Sequence, residues 1–102
     1  MDRLTRLAVL FALAVSPYAA WAADRAAGER IAQRWCAACH IASPGQTRGA
    51  DGVPTFEAIA LDSAMNQERF RAALIGNHPA MPDAQLTRAQ FDDLWAYVRA
   101  LR

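Results

Sequence analysis

"RWCAACH", Arg34 to His40, contains both cysteines of the chain. Two thiols three positions apart with a histidine directly after them form a dithiol for exchange, half of a metal site, or a covalent anchor. The surrounding sequence separates these readings, and with them the fold.

Upstream, "RAAGERIAQRWCAA", Arg25 to Ala38, places Gly28, Ile31, Trp35 and Ala38 at helical spacing with charged residues between them. Asp24 precedes the segment as N-cap, so an amphipathic helix is expected to run into the cysteine pair. Downstream, "IASPGQTRGADGVP", Ile41 to Pro54, has three glycines and two prolines in fourteen residues and reads as irregular loop. A short helical turn is expected over Thr55 to Leu61. "NQERFRAALIGN" has Asn66 as cap, Phe70, Ala73 and Leu74 as a buried stripe and Gly76 as stop. Thr87 and Gln90 form a capping box, after which Phe91, Leu94, Val98 and Leu101 recur at i, i+3, i+7 and i+10. No stretch alternates with period two, so the expected class is all-α, with two marked terminal helices and long loops between them.

At the start of the chain, "MDRLTRLAVLFALAVSPYAAWAAD" has Arg3 and Arg6, a nine-residue apolar run from Leu7 to Val15, Pro17, and small residues at Ala20 and Ala22. That is the layout of a secretory signal cleaved near Ala22, and the run is shorter than the roughly 20 residues that span a bilayer. The expected organisation is a signal over residues 1–22 and one domain over 23–102, exported to the periplasm. An 80-residue domain sits near the size at which an apolar core alone suffices, so a disulfide, metal or large cofactor is expected to help. Removing Arg3, Arg6 and Asp2 with the signal leaves nine arginines and nine acids. That balance points to neither a nucleic acid nor an anionic membrane as partner. Every basic residue is arginine.

Export also puts the thiols in an oxidising compartment, so something must account for them. A thioredoxin-like Trp-Cys-x-x-Cys needs a buried strand before the motif; here the preceding residues are helical and charged. Structural zinc needs four ligands, and the remaining candidate, His78, is distant. What remains is C-x-x-C-H, the attachment motif for one covalent haem c. On a helical turn Cys36 and Cys39 project from one side to reach two vinyl groups of one porphyrin, and His40 is brought under the iron as the proximal ligand.

For the other side of the iron the sequence offers Met65, Met81 and His78. Met65 reads as gap-filling core. Met81 stands in "NHPAMPDAQLT", where Pro79 and Pro82 stiffen the loop and lower the ordering cost of ligation, so Met81 is the expected distal ligand. His78 is its competitor. Bis-histidine ligation stays open, although a histidine before proline in a turn reads as an exposed loop residue.

Taken in this order, the mature chain resembles the class I cytochromes c over essentially all of 23–102. "AAGERIAQRWCAACH" is similar to that family's first helix, with Gly28 eight residues before the first cysteine. The resemblance implies that Gly28 admits a close crossing by the C-terminal helix at Leu94, Tyr97 and Val98. "DGVPTFEAIA" is similar to the family's proximal segment, which implies that the Pro54 carbonyl accepts the His40 ring N–H and orients it. Two departures stand out: Ala32 occupies a position often aromatic in the family, and the lysines that surround the haem edge in some members are absent. Arg48 is a candidate partner for a haem propionate. Trp35 and Trp95 are expected to pack on the haem or the core.

With both axial positions closed there is no open coordination site, and no acid, base or nucleophile is arranged for chemistry. The expected role is therefore not enzymatic but single-electron transfer between a redox donor and a redox acceptor, through His/Met-ligated haem. The protein is expected as a monomer, or as the haem subunit of a periplasmic dehydrogenase or oxidase complex, without strong membrane binding once the signal is removed. A gas- or peroxide-reactive haem protein is the remaining alternative.

Overall fold

The described residues form four α-helices, each capped at its N-terminus by a side chain, and one π-helical turn. The computed structural model describes residues 22–76, 78 and 85–102. The expected signal, apart from Ala22, lies outside the described residues, as do Pro79, Met81 and Pro82.

Helix α1 spans Arg25–Ile31, and the Asp24 carboxylate accepts from the Ala27 N–H at 3.1 Å, the expected N-cap. The chain then widens into a π-helical turn over Ala32–Cys36, in which the Ala37 N–H donates to the Ala32 carbonyl at 3.0 Å. The expected helix thus reaches the cysteines, but with an inserted register step of the kind often found at functional sites. Helix α2, Phe56–Leu61, is capped by Thr55. Helix α3, Gln67–Ile75, is capped by Asn66 and followed by Gly76. Helix α4, Arg88–Arg99, begins with the Thr87/Gln90 capping box, both arms of which are made. No strand occurs among the described residues, and the fold is all-α. No helix among them is long and apolar enough to cross a membrane.

The principal packing is α1 against α4. They approach so closely at Gly28 that a Cβ there would collide with the Asp93 carbonyl and lie 2.9 Å from Cβ of Tyr97. The Asp24 N–H also donates to the Asp93 carboxylate at 2.7 Å, which fastens the start of α1 to α4. Leu94 and Val98 are fully buried, with Trp95 and Tyr97 beside them, whereas Phe91 and Leu101 are half-buried. The buried face of α4 is therefore wider than the i, i+3, i+7 stripe, because α4 is covered by α1 on one side and by α2 and α3 on the other. In α3, Phe70 is buried and Leu74 half-buried, but Ala73 is exposed, at the mouth of the cavity described below.

Candidate functional site

The π-helical turn delivers Cys36 to the interior, where it is buried, and the turn after it leaves Cys39 exposed. The Cys39 and His40 N–H groups both donate to the Cys36 carbonyl, at 3.1 and 2.9 Å, which closes the motif on itself. Cys36, Cys39 and His40 then line one cavity of about 490 Å³, with Val53, Pro54, Phe56, Ile59, Phe70 and Leu94 among its walls.

His40 is buried and its Nδ1 lies 2.7 Å from the Pro54 carbonyl oxygen. A carbonyl only accepts, so Nδ1 carries the hydrogen. In the neutral ring the lone pair is then on Nε2, the arrangement of a metal-ligating histidine held by an outer partner. The Phe56 ring, tilted at 54° with its centroid 5.3 Å away, packs against the imidazole.

The loop that holds Pro54 in place is organised by a side chain the sequence did not single out. Gln46 accepts from the Ala42 N–H at 2.9 Å and points its amide nitrogen at the carbonyls of Ala37, His40 and Arg48, at 2.8, 2.7 and 2.7 Å. Two cross-loop bonds add to it: Ala50 N–H to the Cys39 carbonyl at 2.7 Å, and Phe56 N–H to the Ile41 carbonyl at 2.9 Å. A Cβ at Gly49 would lie 2.8 Å from the Cys39 carbonyl oxygen, so only glycine lets the loop pass this close to the motif. Nothing local in the sequence marks Gln46, since its partners are set by how the loop folds back.

Burial pushes the Cys36 thiol up to about 11. A dithiol oxidoreductase needs the opposite, a thiolate stabilised at neutral pH. Together with the absence of strands among the described residues, this removes the thioredoxin-like alternative.

The donor set fits a covalently tethered porphyrin: two cysteines and one imidazole with a free ring nitrogen on the wall of an otherwise largely apolar cavity of ligand-binding size. Cys36, Cys39, His40 and Pro54 are brought together; Met81 lies outside the described residues. His78 departs from the expectation of an exposed loop residue. It is half-buried, lines the cavity, and its ring centroid is 5.9 Å from that of His40, with 27° between the planes. Met65 lines the cavity as well and packs against the core. Arg48 is exposed, beside Thr47 and Asp51 in a separate polar depression. Trp95 packs in the core against Phe70, with centroids 5.3 Å apart. Trp35 is half-buried under the Arg34 guanidinium.

Comparison with known proteins gives two findings. Residues 23–98 match the family model described as cytochrome C oxidase, cbb3-type, subunit III. The protein named Cytochrome c-552 from Bradyrhizobium diazoefficiens is 35% identical over 99 residues, which cover 97% of this chain and 95% of that protein. No solved structure gives a significant match.

Proposed function

We infer the role of this protein from the premise that its chain belongs to the cytochrome c family and, as a member, carries covalently bound haem c. We propose that it passes single electrons between a redox-protein donor and a redox-protein acceptor in the periplasm, after removal of residues 1–22. The bound haem supplies the redox chemistry, one electron held or released as its iron alternates between ferrous and ferric. The remaining functions fall to the chain.

Cys36 and Cys39 anchor the group. Their sulfurs would hold the haem through its two vinyl groups as thioethers. His40 would hold the iron through Nε2. Pro54 holds the Nδ1 hydrogen, which fixes the ring's direction and raises its donor strength. Met81 would be the second ligand holding the iron, and a thioether there would favour the reduced state. The Val53, Phe56, Ile59, Phe70 and Leu94 walls make the surroundings of the site largely apolar. The observation that carries this reading is the 2.7 Å bond between His40 and Pro54 on the wall shared with both cysteines.

Visible spectra of the exported protein, oxidised and reduced, test it. Haem c bands that stay with the chain under denaturing conditions, with a weak sulfur-to-iron band in the ferric form, are expected. A colourless product with two titratable thiols, made in a host competent for haem attachment, would refute it. The description of the matching family model favours a second reading, the haem subunit of an oxidase complex. Co-purification with a larger membrane enzyme supports that reading, and a monomer on sizing supports the free carrier.

A further inference from the structure

The chain has two histidines, and both line the cavity. His40 has its role in the reading above, and His78 has none. It shares the lining of the cavity with Ile59, Phe70 and Leu74, and a polar ring in such a largely apolar setting gains from partners for its nitrogens. The two rings stand 5.9 Å apart, centroid to centroid, and are tilted by only 27°. With metal–imidazole bonds of about 2.0 Å, two histidines on either side of one metal have ring centroids roughly 6 Å apart. His40 is fixed by Pro54 through Nδ1, which leaves Nε2 as its metal-binding nitrogen, and the spacing of the two rings matches that of two ligands to one metal.

Few other side chains compete. The chain has no lysine, both cysteines are taken by the tether, and Met65, although it lines the cavity, is packed against the core. We propose that His78 is a second axial ligand for the haem iron, binding whenever the Met81 thioether is off it and keeping the iron six-coordinate. This rests on the haem reading above. The exchange replaces one neutral two-electron donor with another, so no electron or proton is transferred. Replacing the thioether by an imidazole lowers the potential, because the methionine ligand is what raises it. His78 thereby keeps the iron closed to small gases when the methionine is lost.

The test compares holoproteins: wild type, Met81→Ala, His78→Ala and the double variant. Ferric spectra and carbon monoxide binding to the ferrous forms are measured. Met81→Ala is expected to remain low-spin and to bind carbon monoxide roughly tenfold or more weakly than the double variant, which is expected to be high-spin. If Met81→Ala is high-spin and as open to carbon monoxide as the double variant, the proposal is overturned. Should Met81→Ala fail to take up haem, Met81→Leu, similar in volume and unable to ligate, makes the same comparison. A wild type without the sulfur band, unchanged by Met81→Ala and made high-spin by His78→Ala alone, removes Met81 as ligand while upholding His78. A wild type without haem overturns both this proposal and the reading it rests on.

Discussion

Gln46→Ala removes the side chain that gathers the loop around His40. Its oxygen takes the Ala42 N–H and its amide nitrogen faces three carbonyls, those of Ala37, His40 and Arg48. An amide nitrogen has only two hydrogens, so the three carbonyls share two donors and about three full hydrogen bonds are lost. At about 1 kcal/mol net each, and less for the exposed Arg48 contact that water replaces, the cost is about 2–3 kcal/mol. In a domain of this size that lowers the melting temperature by roughly 10–20 °C. The assay is denaturant unfolding of the ferric protein, followed by circular dichroism, with the midpoint and slope fitted separately. Gln46→Glu adds a pH signature. It keeps the acceptor for Ala42 but sets a carboxylate against carbonyl oxygens, which raises that acid above its ordinary value of about 4.3. A raised folded-state value means the stabilising form is the protonated one, fully present at low pH and lost as pH rises through the folded-state value. Relative to wild type, Gln46→Glu is therefore least stable at neutral pH and recovers on acidification towards about pH 4. A Gln46→Ala protein within about 0.5 kcal/mol of wild type, the range of an ordinary surface substitution, would refute the reasoning.

Gly28→Ala gains about 1 kcal/mol of helix propensity but drives a methyl into the Asp93 carbonyl and against Tyr97. Unfolding measurements are expected to show a net loss of about 2 kcal/mol or more, the cost of forcing two packed backbones apart; an unchanged midpoint would mean the crossing is looser than described. Tyr97→Phe removes the buried donor to the Ala42 carbonyl and is expected to cost about 1–2 kcal/mol in the same assay. Combined with Gln46→Ala it should not be additive, because both side chains hold the peptide groups of Ala42.

The parts of this molecule readable in sequence are those whose signals are local. Asp24, Asn66 and the Thr87/Gln90 box mark three helix starts because a cap acts within one turn. The C-x-x-C-H stretch marks the proposed attachment point because its spacing is itself the chemistry. Pro54 was reachable only through the family resemblance, since fourteen residues separate it from His40. The π-helical turn at Ala32–Cys36 has no sequence mark, as the same residues are compatible with either helical register. His78 reads as loop from its neighbour Pro79, but its burial is decided by where α3 ends relative to the cavity, a tertiary matter. Gln46 is hidden for the same reason, since polar loop residues that organise a loop and those that merely solvate it look alike.

What ties these parts together is a single line of contacts from the helix crossing to His40. Gly28 lets α4 close on α1, which sets the height of Tyr97; Tyr97 holds the Ala42 carbonyl from below. Gln46 takes the N–H of that same residue and spans to the His40 carbonyl, while Pro54 holds the His40 ring. His40 is thus gripped at backbone and ring by a loop anchored on the strongest packing of the fold. An electron carrier gains from such a mounting, because a ligand that cannot shift keeps nearly the same geometry in both oxidation states. The opposite wall has no equivalent among the described residues: His78 lies two residues past Gly76, where α3 ends, and four past Leu74, the last half-buried residue of that helix. The rigid side of the site is therefore the His40 side, and the proposed change of axial ligand belongs to the face that His78 occupies.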